Sequence, residues 1–228
     1  MSGPIPDNVV VVVPAFNEQD TITAVVEDLL SHFSRVVCVD DGSRDSTAQR
    51  ALRAGAYVLS HPFNLGQGAA LATGIVWCLQ DPDVRAIVTF DADGQHLAID
   101  AVAAYECWRT ERVDVVLGSR FLNKKSEVPP AKLAMLRVAT SFTRFTTGLP
   151  VTDTHNGLRV LGRKAAGSLR LRHSGMTHAS ELLSDIQAEG LTWREVPVEI
   201  VYTPSRRGGQ SVWNSVNIFF DLVWRGSR

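Results

Sequence analysis

The chain has no long apolar run. Within its 228 residues no stretch approaches the ~18 to 20 apolar residues that a membrane-spanning helix needs. Nor does a basic segment with an apolar core behind it open the sequence, as a secretory signal would. A soluble or peripheral cytosolic protein is expected. Cysteine is scarce too. Cys38, Cys78 and Cys107 are odd in number, far apart and set in apolar surroundings. They give neither a disulfide framework nor metal-ligand spacing, and suit a reducing compartment. A charge excess is also missing: 23 Lys and Arg against 24 Asp and Glu leave a net −1, so no basic field points to nucleic acid. His61, His96, His155, His173 and His178 show no His-Glu-x-x-His spacing, which argues against a zinc hydrolase. His96 and His155 stand beside polar motifs; the others read as surface or satisfied core residues. The sequence holds no Gly-x-Ser-x-Gly elbow, no internal repeat, no low-complexity tract and no linker to a second domain.

What is present is a rhythm. Apolar β-branched runs at 8–13, 35–39, 56–59 and 87–90 alternate with amphipathic or small-residue helices expected over 21–33, 45–54, 69–79 and 99–109. Pro14 is expected to stop the first strand, and Asp45 or Ser46 to cap the second helix. Such alternation calls for a mostly parallel α/β sheet with helices on both faces and right-handed crossovers. Past residue 100 the pattern loosens. A strand over 113–120, a charged loop over 124–130, helices over 131–147 and 177–189 and a half-exposed strand over 193–202 are expected. Residues 153–159 read as a polar turn before the apolar Val160-Leu161.

Chemistry collects where the strands end. Ile87 to Phe90 runs into Asp91-Ala92-Asp93-Gly94-Gln95-His96. Two carboxylates one residue apart repel each other, and a hard divalent cation would relieve that; Mg2+ and its relatives take one or two carboxylates plus substrate phosphates. Taken alone, the same residues could be turn-formers around a glycine. The other strand ends decide between the two, because a parallel sheet puts Asn17, Glu18, Asp40, Asp41, Asn64, Asp91 and Asp93 on one edge, where such folds bind ligands. Gly66-x-Gly68 is not a dinucleotide fingerprint, since Leu71 fills its third small position, and no Walker lysine follows. The glycines still allow close backbone approach and a helix N-terminus for an anionic group.

Six motifs appear in order: Pro14-Ala15-Phe16-Asn17-Glu18, Val39-Asp40-Asp41-Gly42-Ser43, Asn64-x-Gly66-x-Gly68-Ala69, Asp91-Ala92-Asp93-Gly94-Gln95-His96, Gly118-Ser119-Arg120 and Asp153-x-x-x-Gly157-x-Arg159. Together they resemble family 2 glycosyltransferases of the GT-A fold, nearest the polyprenyl-phosphate sugar synthases. The resemblance spans about residues 8 to 211, implying one GT-A domain over 1–211 followed by an apolar helix over 212–228. It implies sugar transfer, with inversion, from a nucleotide-diphosphate donor. By position, Pro14, Ala15, Asn17, Glu18, Asp41, Asn64 and Gly68 would bind the donor, and Asp91, Asp93 and Gln95 would hold Mg2+ or Mn2+ against its diphosphate. Arg120, Arg137 and Arg206 suit phosphate groups, which a guanidinium binds bidentately. Arg159 and Ser211 belong to the same motif set.

The acceptor stays open between two classes. A sugar hydroxyl of a glycolipid or polysaccharide intermediate must lose its proton, for which Asp153 and Glu181 are candidate bases. A polyprenyl phosphate is already an anion and needs none. No Gln-x-x-Arg-Trp motif of processive synthases is present, whereas Glu195-Val196-Pro197-Val198 and Arg206-x-x-Gly209-x-Ser211 match the polyprenyl-phosphate branch, with Val212 where a lysine usually follows. A non-catalytic nucleotide-sugar-binding scaffold is the reading from another class. The tail aligns Trp213, Val216, Phe220 and Val223 on one helical face, for packing on the domain or for a membrane surface or a membrane-protein partner.

Overall fold

The computed structural model describes residues 5–122, 140, 141, 144, 147–154, 156–169 and 178–201. Seven strands form one sheet. Their residues are β1 (Val9–Ala15), β2 (Val36–Asp40), β3 (Tyr57–Ser60), β4 (Ala86–Thr89), β5 (Val115–Ser119), β6 (Arg159–Gly162) and β7 (Trp193–Pro197). The order is β3-β2-β1-β4-β6-β5-β7. Pairing is parallel except at β6, which runs antiparallel to both β4 and β5. The sheet is thus mostly parallel, as the strand–helix rhythm requires. Strand β6 was not anticipated: the polar turn expected over 153–159 ends inside it, at Arg159.

Helices α1 (Ile22–Leu30), α2 (Thr47–Arg53), α3 (Gln67–Leu79), α4 (Ala98–Glu111), α5 (Arg163–Ser168) and α6 (His178–Ala188) cover both faces. The period-2 geometry of β1 divides the core. Val9, Val11 and Val13 join Ile22, Val26 and Leu29 of α1 and Ala101 and Ala104 of α4 on one face. Val10 and Val12 join Leu71 and Ile75 of α3, Ala165 of α5 and Leu182 and Ile186 of α6 on the other. Strand β1 is buried throughout, which is why it reads as an unbroken valine run instead of an alternating one.

Pro14 does not stop β1. The strand continues to Ala15, with Pro14 in register with Val39. In a parallel ladder a residue's N–H and C=O point to the same neighbour. The Val11 amide donates to the Arg35 carbonyl just before β2, whereas the Val12 carbonyl accepts the Phe90 amide just after β4. Pro14 therefore faces the β4 side, where β4 has already ended at Thr89 opposite Val12. The missing donor costs no ladder bond there. Ser46 precedes α2 without a side-chain cap; Asp45 Oδ1 instead accepts the Thr47 amide at 2.9 Å.

Strands β1 and β4 are neighbours, yet the chain leaves β1 in one direction for β2 and β3 and in the other for β4. This is the switch point at which an open α/β sheet leaves a crevice beyond its carboxyl ends. Among the described residues no helix is long and apolar enough to cross a membrane.

Candidate active site

One side of the crevice is built by three loops, after β1, β2 and β3, locked to one another. The Asn17 amide donates to Ser43 Oγ (2.9 Å), the Glu18 amide to Thr47 Oγ1 (2.8 Å) and the Gln19 amide to Asp45 Oδ2 (3.3 Å). In return the Arg44 amide donates to Asn17 Oδ1 (2.9 Å) and the Ser46 amide to Gln19 Oε1 (3.2 Å). Asn17 takes φ +56°, a left-handed conformation that asparagine tolerates better than most residues. Asp41 is 2% exposed and holds the third loop: Oδ1 accepts the Leu65 amide (2.8 Å) and Oδ2 the Gly66 amide (2.7 Å). His61 Nδ1 lies 2.7 Å from Oδ1, and its Nε2 2.9 Å from Thr73 Oγ1 on α3. An ionised carboxylate only accepts, so in the neutral imidazole Nδ1 carries the proton and the Thr73 hydroxyl donates to Nε2. Gly42, at φ +72°, lets the second and third loops touch; a Cβ there would lie 2.5–2.8 Å from the Phe63 and Asn64 backbone. Asp40, 5% exposed, accepts the Ser43 amide through Oδ1 at 3.3 Å.

Across the switch point stands the carboxylate pair. Asp91 is half-buried and Asp93 exposed. Gln67, the first residue of α3, donates from Nε2 to Asp91 Oδ1 at 3.0 Å, and His96 Nε2 lies 3.4 Å from Asp91 Oδ2. Asp93 Oδ1 accepts the Gln95 amide at 2.9 Å, closing a tight turn. Beneath Asp91 the chain is glycine: a Cβ on Gly157 would overlap the Asp91 carboxylate, and the Gly157 carbonyl is fixed by the Thr89 hydroxyl at 2.6 Å. His96 is 7% exposed and its Nδ1 has no hydrogen-bond partner, an omission that costs about 1–3 kcal/mol for a buried polar group.

A third cluster lies at the end of β5. Arg120 and Asp153 are 8% and 4% exposed. The Arg120 Nε and backbone amide donate to Asp153 Oδ2 at 2.6 and 3.2 Å. Glu195 on β7 fixes the turn that carries Asp153: its Oε1 accepts the Thr152 amide (2.7 Å), the Thr152 hydroxyl (3.0 Å) and the Asp153 amide (3.3 Å). Arg159, on β6 between β4 and β5, is 4% exposed. Burial pushes its guanidinium below the ordinary arginine value, and the negative charges of Asp91 and Asp153 act against that shift. The chain after β7 then passes the carboxylate pair, with the Val201 amide donating to the Gln95 carbonyl at 2.9 Å.

The sequence model described as Glycosyl transferase family 2 matches residues 10–170. The chain belongs to this family. It is 34% identical over 227 residues to an uncharacterized protein of Methanocaldococcus jannaschii, MJ1222, covering 95% of this chain and 91% of that one. It is 30% identical to the UDP-N-acetylglucosamine–dolichyl-phosphate N-acetylglucosaminyltransferase of Methanococcus voltae, covering 93% of each. A solved structure of glucosyl-3-phosphoglycerate synthase from Mycobacterium tuberculosis, in complex with Mn2+, UDP and glucosyl-3-phosphoglycerate, superposes with a TM-score of 0.69. The match covers 95% of this chain and 79% of that one at 22% identity, and carries the fold: the chain has the GT-A architecture.

Within the family 2 domain the expected residues divide into groups. Pro14 and Ala15 are buried at the carboxyl end of β1, beside the switch point. Asn17, Glu18 and Asp41 stand on its loops, with much of their bonding capacity spent inside the protein. Asn64 is exposed at the third loop, and Gly68 is buried in the first turn of α3. Asp91, Asp93 and Gln95 share one turn after β4. Arg120 and Asp153 form one ion pair, with Arg159 on the strand between. Glu181 is a half-buried residue of the first turn of α6. Arg137, His155, Arg206, Ser211 and the 212–228 helix lie outside the described residues. His61, read as an ordinary histidine, belongs to the site's frame. So do Gln67 and Glu195, which the sequence marked only as parts of motifs.

The turn after β4 suits a hard cation. Among the described residues no group of three or more His, Cys, Asp or Glu could hold a metal alone. Asp91, Asp93 and the Gln95 amide oxygen offer an incomplete oxygen set, the kind Mg2+ and Mn2+ finish with substrate oxygens and water.

Proposed function

We propose that this protein transfers a sugar, with inversion, from a nucleotide-diphosphate donor to a polyprenyl phosphate, using Mg2+ or Mn2+. The observation that carries the acceptor class is the buried Arg120–Asp153 pair. A hydroxyl acceptor needs a base within reach, and Asp153, one of the two candidate bases, accepts two bonds from Arg120 through Oδ2 instead. A phosphate oxygen needs no base. It attacks the anomeric carbon from the face opposite the diphosphate; the new C–O bond forms as the bond to the diphosphate oxygen breaks, and the nucleoside diphosphate leaves with the electron pair.

Each part of the crevice then has a task. The three locked loops hold the nucleoside. The Asp91–Asp93 turn faces the diphosphate, where a bound cation would stabilise the leaving charge. Arg120, held in place by Asp153, presents positive charge to a phosphate. Val201 stands beside Gln95. The M. voltae relative, whose name states a dolichyl-phosphate acceptor, supports the lipid-phosphate reading. The Mn2+ and UDP of the mycobacterial complex support the donor and the cation. Such an enzyme meets its lipid acceptor at the cytosolic face of a membrane, through its own surface or a membrane-protein partner.

The test is a screen of UDP-, GDP- and dTDP-sugars with Mg2+ and Mn2+, offered with polyprenyl phosphate, a glycolipid and 3-phosphoglycerate. Nucleoside diphosphate release should require polyprenyl phosphate. It should vanish in EDTA and in Asp93→Ala. Full activity in EDTA, or turnover only with a hydroxyl acceptor, would reject the proposal.

A further inference from the structure

The side chains around Asp91 suggest how the cation site is kept in shape before any cation arrives. Asp91 Oδ1 is held by Gln67 Nε2 at 3.0 Å, and Oδ2 faces His96 Nε2 at 3.4 Å. The two come from different directions, Gln67 from the first turn of α3 and His96 from beyond the turn after β4. Gly157 closes the floor, since a Cβ there would overlap the carboxylate. Asp93 has no such frame from these three residues; its Oδ1 is tied to the Gln95 amide in its own turn.

The buried, unpartnered Nδ1 of His96 is the second observation. A neutral imidazole has one N–H. Placing it on Nδ1 would leave a buried donor without an acceptor and turn the Nε2 lone pair toward a carboxylate. With the proton on Nε2, the N–H is on the side of Asp91, 3.4 Å from Oδ2, and only an acceptor lone pair is left over. Phe90 packs against the ring, with centroids 5.6 Å apart, and His96 is in a backbone bridge with Ile200. The ring is thus held in an orientation that serves Asp91 and leaves its other nitrogen unserved.

We infer that Gln67 and His96 are positioning residues that clamp the two oxygens of Asp91, so that its carboxylate is set for a divalent cation in advance. The inference rests on the metal-dependent reading above. Partners of this kind fix the direction of a ligand and reduce what must be ordered on binding. Gln67 adds a link to the nucleoside side: it follows Leu65 and Gly66, whose amides Asp41 holds. One short segment, 65–67, therefore joins the two halves of the crevice.

The test is Mn2+ binding followed by electron paramagnetic resonance on the full chain, with and without UDP or GDP, where no turnover is involved. Gln67→Met and His96→Leu keep the shapes and remove the donors. Each should weaken Mn2+ binding ~10-fold or more. His96→Gln, whose amide nitrogen reaches the position of Nε2, should recover most of the affinity. Because Gln67 is exposed, its variant should keep the parent thermal midpoint, which separates positioning from folding. Parent-like Mn2+ affinity in both Gln67→Met and His96→Leu would overturn the clamp while leaving the metal reading intact. No Mn2+ binding by the parent chain, with or without nucleotide, would overturn both.

Discussion

Arg120 and Asp153 show how one contact redirects a functional assignment. The aspartate, as a residue type, suits a general base, and the arginine suits a phosphate. Their 2.6 Å contact in a nearly closed environment makes each a condition for the other. Asp153→Ala would leave Arg120 buried without this partner, and breaking such a pair from one side costs about 3–5 kcal/mol. Urea unfolding should show that loss, whereas Asp153→Asn, which keeps an oxygen facing Arg120 Nε, should lose clearly less. Equal destabilisation by the two substitutions would mean that the pair is not what holds this corner. Gly157 supplies the second residue-scale prediction. Alanine there would push Asp91 off its seat, and misplacing a reacting group by about 1 Å costs on the order of 100-fold. Gly157→Ala should therefore cut donor turnover by roughly that factor with a thermal midpoint close to the parent; near-parent turnover would show that the Asp91 position is not critical.

At the scale of elements, the loops after β1 and β2 behave as one piece. Asp45 sits in that weld. Burial acts to raise its pKa, but bonds from the Thr47 hydroxyl and amide and from the Gln19 amide outweigh it, holding the carboxyl below the usual aspartate value. A depressed folded-state value means stability that is present above the unfolded value of ~3.9 and lost as pH falls through the folded one. Parent and Asp45→Asn stabilities, measured by urea unfolding from pH 7 downward, should therefore converge below pH ~4; a constant gap would remove Asp45 from the acid response. The same elements show what a sequence makes legible. β1, β2 and β4 announce themselves as β-branched runs, and the carboxylates at their ends follow from parallel topology alone. Strand β6 does not: Arg159-Val160-Leu161-Gly162 is short, opens on a charge and passes directly into α5, whose Arg163 side chain binds the Leu79 carbonyl at the end of α3 and the Asp81 and Val84 carbonyls after it. The roles of Gln67, His61 and Glu195 were equally hidden. Their partners lie 12 to 43 positions away, where no local periodicity reaches.

For the molecule as a whole, the late placement of β6 has a consequence for folding. The first four strands could form a parallel sheet in order β3-β2-β1-β4 by themselves, but β4 would then be an open edge and β5 would have no neighbour among them. Only after residue 159 does the chain supply the antiparallel strand that pairs with both, and only after 193 the strand that covers β5. The site depends on the same step, since Gly157 under Asp91 and Asp153 beside Arg120 enter with that segment. Long-range pairing of this kind is slow to form and leaves an apolar edge exposed until it does. A chain ending at residue 150 should accordingly keep helical and strand signal in the far ultraviolet yet lose the cooperative urea transition of the full chain and aggregate through the free β4 edge. Supplying 151–228 as a separate polypeptide should restore part of the cooperativity if β6 is the missing piece. A sharp, full-length-like transition for residues 1–150 alone would instead show that the first four strands make a self-sufficient unit, with the Arg120–Asp153 half of the site added to it as an accessory.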